Sequence, residues 1–366
     1  MQKNNGKKML MLLANICLVL AIGAAMLAGC AKPAPAPAPA PAPAKPTVLV
    51  FSTHDPETNA MVKNIFKPWF AALEQRTGGR VKVEGHYAGE LVQVPAAYDA
   101  VVKGTVDIAH IITTHFPQFF TANIFLLPTF DNYGWRPSRI YLELYNQFPG
   151  VKAEYSGVKP VILYNMFVNH VGTTKKPVRK LEDVKGLKMI VPGKLATDRG
   201  VGLGMTPVSS TPPETYSFLE KGVADGGTFV TMPELFTYHW GDVLKYITVI
   251  PMSRPPQSIL MNLGKFNSLP PDVQKIIDNM LVEWVDVADE SQVRGYKDAV
   301  ARAPAELGVE FIKLSPEELA RWIRVDRPVI DTFIADLTAK GLPGKEMYDV
   351  YQQLEKKYSA AEYEFK

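Results

Sequence analysis

The sequence contains very little cysteine. Its 366 residues include only Cys17 and Cys30. Residues 31–366 therefore have no thiol that could form a disulfide, hold a metal ion or act as a nucleophile. This absence excludes a disulfide-stapled fold, a cysteine-ligated zinc site and a cysteine enzyme for that part of the chain.

Motifs that mark common enzymes and metal proteins are also missing. There is no His-Glu-x-x-His, no Gly-x-Ser-x-Gly and no Gly-x4-Gly-Lys-Ser/Thr. "GVGLG" (200–204) has the wrong glycine spacing for a dinucleotide site, and we expect a turn ahead of a strand there. Asp107 and Asp225 could form a carboxylate pair, but each more simply ends a helix–strand junction. The sequence predicts no enzyme, no metal and no cofactor.

The first thirty residues have the pattern of a secretory signal. Lys3, Lys7 and Lys8 precede an apolar run over 9–28, and small residues follow it. Leu-Ala-Gly-Cys (27–30) resembles the lipobox of bacterial lipoproteins, in which cleavage before the cysteine leaves a lipidated thiol. We therefore expect a signal peptide over 1–29 and lipidation of Cys30, with an uncleaved membrane anchor as the alternative.

Net charge is low once the predicted signal is removed. The whole chain carries 40 basic and 37 acidic residues, and the signal contains three lysines and no acid. The remainder is balanced, so no basic face for a nucleic-acid partner is expected.

A Pro-Ala repeat separates the predicted lipid from the rest of the chain. Residues 31–46 favour an extended polyproline II spacer, with a reach of roughly 50 Å at ~3.1 Å per residue. Residues 47–366 are more than one compact core usually encloses, so we expect two lobes.

The order of predicted elements is an alternation of strands and helices, which favours mainly parallel sheets. Apolar periodicity and flanking breakers are the basis of each prediction. The predicted strands are 47–54, 80–87, 106–112, 160–170 and 186–192. The predicted helices are 61–76, 95–103, 214–221, 271–303, 315–340 and 345–358.

One sequence pattern occurs twice. "YDAVVKGTVD" (98–107) and "YSFLEKGVAD" (216–225) share Tyr-x4-Lys-Gly-x-x-Asp in the same register. A common junction met twice by chance is one interpretation. The other is two lobes built on one plan around a shared cleft.

Several segments resemble one family. "EQRTGGRVKVEGHYAGELV" (74–92), "VVKGTVDIA" (101–109), "LEDVKGLKMIVPG" (181–193), "PPETYSFLEKGVADGG" (212–227) and residues 245–277 are similar to the solute-binding proteins of TRAP transporters, the tripartite ATP-independent periplasmic systems. The resemblance implies an α/β, two-lobe periplasmic-binding-protein-like fold. Its sheets are mixed and mainly parallel, helices flank them, and a long C-terminal helix crosses both lobes.

The resemblance also implies a domain plan, a partner and a location. Lobe 1 is expected over about 47–160 with parts of the C-terminal region, and lobe 2 over about 161–265. The receptor would pass a small organic solute to the TRAP membrane permease. It would work in the periplasm or at the cell surface, anchored through Cys30, because a tether raises its concentration near the permease.

Two positions depart from the family. An arginine that grips the carboxylate of the solute usually follows Gly-Leu-Lys-Ile, and this sequence has Ile190 there. An asparagine usually follows the Asp-Gly segment, and this sequence has Phe229. We expect the clamp to be lost and the solute to be neutral, hydrophobic or aromatic. A compensating cation could be Arg136, Arg199 or Arg254, although surface solvation is the expected fate of each.

Further candidate contacts follow strands, where open α/β sheets bind ligands. A histidine at the end of a strand is usually packed or solvated. Tyr238 and Trp240 could form either an aromatic wall of the site or part of the core. The predicted solute contacts are His54, Thr114, His115, Asn169, His170, Ile190, Thr211, Pro212 and Phe229.

The function predicted from these features is capture of a solute by closure of two lobes. The first alternative is a lipoprotein hydrolase, which would need a nucleophile–base pair or a metal site. The second is a TRAP-like envelope lipid carrier or sensor without a transport role.

Overall fold

The computed structural model describes residues 45–127 and 136–358. Eleven strands in this part form two sheets. Their bounds are β1 Thr47–Ser52, β2 Val81–His86, β3 Ile108–Ile112, β4 Val158–Asn165, β5 Asn169–Thr173, β6 Lys188–Ile190, β7 Thr206–Val208, β8 Gly226–Val230, β9 Tyr246–Ser253, β10 Pro256–Asn262 and β11 Glu310–Lys313. The predicted signal, Cys30 and most of the Pro-Ala spacer lie outside the described residues.

Helices cover both sheets. A π-helical turn, Val62–Phe66, leads into the first of them, and 3-10 turns occur elsewhere. The α-helices are α1 Lys67–Arg76, α2 Ala97–Lys103, α3 Pro137–Gln147, α4 Pro149–Ala153, α5 Gly193–Gly202, α6 Pro212–Glu220, α7 Glu234–Thr237, α8 Trp240–Val243, α9 Leu263–Ser268, α10 Pro271–Leu307, α11 Pro316–Ala339 and α12 Gly344–Tyr358. In the described part of the chain, none of them is long and apolar enough to span a bilayer.

Both sheets are mixed, as expected. The first has the order β2-β1-β3-β10-β4, with β1 parallel to β2 and β3 and with β10 antiparallel to its neighbours. The second has the order β11-β9-β5-β8-β6-β7, with β5 antiparallel to β8 and β9 and the other pairs parallel. Each sheet and its helices form one lobe.

The predicted strand 160–170 is wrong as a single element. Residues 158–165 pair in the first sheet and residues 169–173 in the second, so the chain crosses between lobes at 166–168. It crosses back at 254–255, where the Met166 N–H donates to the carbonyl of Pro255 at 2.9 Å. The apolar run is continuous because both halves are buried, and periodicity cannot show the change of sheet.

The lobe boundaries therefore differ from the predicted ones at 160 and 265. Strands β4 and β10 both belong to the first sheet, so lobe 2 comprises about residues 169–253 and strand β11. Helix α10 packs against β4 in lobe 1 and contacts α7 and α8 in lobe 2, as expected for a helix that crosses both lobes.

The interpretation of "GVGLG" (200–204) as a turn is wrong for its first residues. Helix α5 continues through Gly202, and only then does the chain turn through Gly204, at φ +83°, into β7. A Cβ on Gly200 would meet Val191 and Pro207 at ordinary contact distances, so an alanine would fit at this position of the helix.

The repeated sequence pattern forms the same junction in both lobes. Helices α2 and α6 end near Gly104 and Gly222, whose φ values are +72° and +68°. The backbone N–H groups of Val50 and Lys188 then donate to the carboxylates of Asp107 and Asp225, each at 2.9 Å. These two carboxylates hold neighbouring strands in separate lobes and form no catalytic pair.

Candidate functional site

Two connected cavities lie between the lobes. The inner cavity, of about 80 Å³, is formed around Asp55, Ile190, Phe229 and Trp240, and the outer cleft, of about 770 Å³, opens beyond it. Both are lined by His115, Val191, Pro192 and Ser210. The inner cavity faces the carboxyl ends of β1, β3, β6 and β8, which is where open α/β sheets bind ligands.

Six of the nine predicted contacts line the inner cavity, and their contact with a solute stays a prediction. These six are His54, His115, Asn169, Ile190, Pro212 and Phe229. Thr114 and Thr211 lie in the outer cleft instead. Thr211 begins helix α6 as its cap, because its backbone N–H and hydroxyl donate to Glu214 at 2.9 and 2.7 Å.

His170 lines neither cavity and is fully buried in lobe 2, so the structure does not bring it together with the other predicted contacts. Its Nδ1 lies 3.1 Å from the carbonyl oxygen of Ile250, and its Nε2 lies 3.0 Å from the hydroxyl of Tyr296. Both ring nitrogens are occupied by partners from β9 and α10. His170 therefore has a packing role.

Ile190 and Phe229, the two residues expected at the clamp positions, both line the inner cavity. Ile190 lies there with only 3% of its surface exposed. The ring of Phe229 packs edge-on against Trp240, with centroids 4.7 Å apart. Phe229 folds back over Gly227, where a Cβ would come within 1.9 Å of the phenyl ring, so the second glycine of "DGG" is required.

The prediction that Arg199 and Arg254 are solvated at the surface is wrong, because both are buried in ion pairs. Arg199 pairs with Asp326 through Nε and Nη2 at 3.0 and 2.8 Å. Arg254 contacts Glu355 at 2.7 Å. Neither lines the inner cavity, and the half-exposed Arg136 pairs with Asp286 at 3.0 Å. None of the described residues that line the inner cavity is a lysine or an arginine.

Asp55 is the centre of a buried hydrogen-bond network in the wall of the inner cavity. Its Oδ2 accepts from the Thr53 hydroxyl at 2.9 Å and lies 2.9 Å from Nδ1 of His110. Its Oδ1 accepts from Asn59 Nδ2 at 3.0 Å and from the Tyr238 hydroxyl at 2.8 Å. Because Asp55 follows β1 and Tyr238 follows α7, the last of these bonds joins the two lobes.

Burial and the neighbouring groups have opposite effects on the pKa of Asp55. Burial opposes ionisation of Asp55, but His54 and the hydrogen bonds from His110 and Tyr238 outweigh it and hold the pKa of Asp55 well below its usual range. Burial lowers the pKa of His54 to about 4, so this imidazole is neutral at pH 7. Asp55 is thus an ionised, fully buried carboxylate.

The same network contains a group with the donor types of a metal site. One donor atom each from His54, Asp55 and His110 lies within 4.8 Å of the others. The atoms of Asp55 and His110 are already engaged, however. Both oxygens of Asp55 have two partners, and Nε2 of His110 lies 3.0 Å from both Gln257 Oε1 and the Tyr164 hydroxyl. Hydrogen bonding accounts for the positions of these two side chains.

Glu234 is the second carboxyl group of the inner cavity, at the start of α7. Its Oε2 accepts from the Thr231 hydroxyl at 2.7 Å. Burial raises the pKa of Glu234 to about 8, and the charge of Asp55 adds to this shift. The carboxyl is therefore mostly protonated at neutral pH.

Sequence reasoning missed part of this site. Asp55 directly follows the predicted His54, and the strand-end rule that selected His54 would have included it. His110 lies inside β3, and Glu234 begins a four-residue helix. Neither has a sequence pattern that separates it from a solvated or packed residue.

Comparison with known sequences gives a family. The bacterial extracellular solute-binding protein family 7, DctP, matches residues 51–336. The protein YiiZ of Salmonella typhimurium is 22% identical over 291 residues, which are 77% of this chain and 84% of that protein.

Solved structures share the fold. A marine metagenome TRAP solute-binding protein in complex with metahydroxyphenylacetate has a TM-score of 0.80 at 24% identity, over 85% of this chain and 99% of that one. A TRAP periplasmic solute-binding protein from Bordetella bronchiseptica with bound mandelate has a TM-score of 0.79 at 22% identity, over the same shares of each chain. These likenesses confirm the two-lobe fold.

Members of this family are receptors that bind small solutes and work with membrane permease subunits. The match spans most of both lobes, the inner cavity and the crossing helix α10. The chain belongs to the extracellular solute-binding proteins of family 7, the solute receptors of TRAP transporters.

Proposed function

We propose that this receptor captures a small aromatic or otherwise apolar solute in the inner cavity and does not hold it through a carboxylate–arginine clamp. The observation that carries the proposal is the position of Ile190 and Phe229. Both lie in the cavity wall at the two clamp positions, and no described lining residue is a lysine or an arginine.

Energetics favour such a solute. A carboxylate enclosed without a cation would lose its hydration at a cost of several kcal/mol. Phe229 instead offers apolar surface to a bound molecule, and fully burying a side chain of this size is worth about 1.5–3 kcal/mol as an upper value. Ile190 is already buried and adds an apolar wall without a charge. An apolar solute therefore gains binding free energy in the cavity, whereas an unpaired carboxylate loses it.

The structural neighbours support the aromatic part of the proposal. Both of those described above bind aromatic acids, metahydroxyphenylacetate in one case and mandelate in the other. In this chain, Phe229 and Trp240 provide an aromatic wall of the inner cavity.

Capture proceeds by lobe closure, without covalent chemistry. The solute binds the closed form better and shifts the population toward it. Lipidation of Cys30 and the spacer 31–46 would hold the receptor within roughly 50 Å of the membrane, close to its permease. Solute contacts from His54, His115, Asn169 and Pro212 belong to the same proposal.

Native mass spectrometry of the purified protein, followed by organic extraction, tests the solute class directly. Recovery of an aromatic or apolar molecule without a carboxylate supports the proposal. Recovery of a small carboxylate contradicts it, because another group would then replace the family arginine.

Restoring the missing cation gives a second test. The substitution Ile190→Arg should create affinity for phenylacetate, because the guanidinium would meet the carboxylate at the family position. We expect at least a tenfold gain over the unmodified protein by isothermal titration calorimetry. Val201→Arg, on the exposed side of α5, adds the same charge outside the cavity and should leave the affinity unchanged. An equal gain in both variants would contradict the assignment of Ile190.

A further inference from the structure

The inner cavity contains two carboxyl groups, Asp55 and Glu234, which differ in the number of their hydrogen-bond partners. Asp55 has four hydrogen-bonding neighbours. Glu234 receives one side-chain hydrogen bond, from Thr231. Within the described ranges, 45–127 and 136–358, no basic side chain forms an ion pair with Glu234.

A carboxyl group in this position is costly to ionise. Asp55 repels a second negative charge, and the surrounding protein removes water from Glu234. Glu234 nevertheless borders the cavity, so a bound molecule can reach it. A positive charge on that molecule would supply the missing partner.

Aromatic rings next to Glu234 complete an environment for a cation. Trp240 borders the cavity and is 1% exposed. Tyr238 stacks on it with centroids 5.3 Å apart, and Phe229 meets it edge-on. Aromatic faces attract ammonium groups through their quadrupole, and tryptophan does so most strongly.

Two buried polar atoms of the cavity wall have no hydrogen-bond partner among the described residues. These are Nε1 of Trp240, a donor, and Oδ1 of Asn169, an acceptor. Each side chain is 1% exposed and borders the inner cavity. Buried polar groups are normally paired, so these atoms point to a ligand with polar groups of its own.

We infer that the solute is a small aromatic amine, bound with its protonated nitrogen at Glu234 and its ring against Phe229 and Trp240. This inference rests on the proposed function and narrows its solute class. Glu234 is the residue that selects for positive charge. Ile190 stands where an arginine is usual in the family. It is uncharged, so it does not repel the amine.

Three matched ligands separate the possibilities. Isothermal titration calorimetry of the full chain would compare 2-phenylethylamine, 2-phenylethanol and phenylacetate, which share a ring and differ in charge. We expect the amine to bind at least tenfold more tightly than the alcohol and the acid to bind most weakly. An amine that binds no better than the alcohol would overturn the inference.

The two proposals fail in different ways in this experiment. Binding of the alcohol without a preference for the amine leaves the apolar-solute proposal standing and removes only the inference about charge. Strongest binding of phenylacetate contradicts both. No binding of any of the three overturns the inference, because each presents the aromatic ring that it requires, whereas the proposed function also admits an apolar solute without a ring.

The variant Glu234→Gln tests the role of this residue. It keeps the shape and the hydrogen bond of the side chain but removes the negative charge. The tenfold preference for the amine should disappear, whereas the affinity for the alcohol should stay within twofold. Glu220→Gln, an exposed change on α6, should leave both affinities unchanged. A preference that survives in Glu234→Gln overturns the assignment.

Proton release gives a readout in the unmodified protein, should the variant fold poorly. The amine ionises Glu234 on binding, so close to one proton should leave the complex at pH 7, measured in buffers of different ionisation heat. The titratable groups that interact electrostatically with Glu234 are Asp55, Tyr164 and Tyr238. Three histidines also line the cavity, namely His54, His110 and His115. The neutral alcohol should release no proton. Equal release with both ligands would overturn the inference.

Discussion

The role of each histidine depends on its burial. His170 is fully buried and its two ring nitrogens contact Ile250 and Tyr296, whereas the side chain of His239 is 75% exposed. Burial lowers the pKa of His170 to about 4, from an ordinary value of 6.5. At neutral pH the folded protein therefore holds a neutral imidazole, which the unfolded chain would protonate in mild acid.

The contribution of His170 to the free energy of unfolding should fall as the pH drops from 6.5 toward 4. The unfolded chain binds a proton at His170 in this range and the folded chain does not, so this contribution is complete above pH 6.5 and is lost below it. We expect the loss at His170 to be about 2 kcal/mol between pH 7.5 and pH 5. His54 adds a similar loss, whereas the raised pKa values of Glu234, Asp289 and Glu154 act in the opposite direction, so the contribution of His170 has to be measured by comparison with a variant in urea unfolding.

The variant His170→Gln isolates this contribution. The quantity compared is the change in unfolding free energy with pH, so a different absolute stability of the variant does not affect the result. Lowering the pH from 7.5 to 5 should destabilise this variant about 2 kcal/mol less than it does the unmodified protein. His239→Gln, which removes an exposed histidine, should show the pH dependence of the unmodified protein. Identical pH dependence in all three would show that His170 is protonated equally in both states.

At the scale of elements, helix α5 is fixed to its surroundings by one arginine. Arg199 forms a bidentate pair with Asp326 of α11, and its Nη1 donates to the carbonyl oxygens of Leu126, at 2.8 Å, and Met252. These contacts join a helix of lobe 2 to the 3-10 segment 121–126 and to the end of β9. The side chains of both ions are at most 2% exposed.

Removing one ion of this buried pair should destabilise the protein strongly. Arg199→Met leaves Asp326 buried and unpaired, which we expect to cost about 3–5 kcal/mol in unfolding free energy. The double variant Arg199→Met/Asp326→Leu should recover much of the loss, because no unpaired charge remains. Urea denaturation measures both.

A matched control is the exposed Arg302, which pairs with Asp298 and Glu306 along α10. Arg302→Met should change the unfolding free energy little, since water solvates these charges. A double variant no more stable than Arg199→Met would contradict this explanation, because the unpaired charge of Asp326 would then not be the cause of the loss.

At the scale of the whole molecule, closure depends on contacts that cross between the lobes. The hydrogen bond from the Tyr238 hydroxyl to Oδ1 of Asp55, at 2.8 Å, is one of them, and its acceptor is an ionised carboxylate. Hydrogen bonds to charged groups contribute about 1.5–3 kcal/mol. We expect this bond to stabilise the closed form and to break when the lobes separate.

Tyr238→Phe should shift the molecule toward the open form. Small-angle X-ray scattering would follow compaction as the solute extracted from the protein is added back. We expect the variant to need about tenfold more solute for half-maximal compaction, which corresponds to about 1.4 kcal/mol. Tyr216→Phe removes an exposed hydroxyl on α6 and should behave like the unmodified protein. Equal half-saturation in both would mean that the bond does not affect closure.

Local sequence patterns were sufficient to predict the family, the alternation of strands and helices and the repeated junction. A glycine that ends a helix and an aspartate three residues after it recur at 104–107 and 222–225 and act alike in both lobes. The resemblance also pointed to Ile190 and Phe229, and both line the inner cavity. Local order in the chain is sufficient for such features.

The set of side chains that share the cavity and the division between the lobes depend on the tertiary fold. The apolar run 160–170 is one pattern but serves two sheets, and Arg199 is buried although surface solvation was the expectation for it. Asp55, His110 and Glu234 come from three distant segments. A charged or polar residue is buried or exposed according to partners that are remote in sequence, and local periodicity contains no information about those partners.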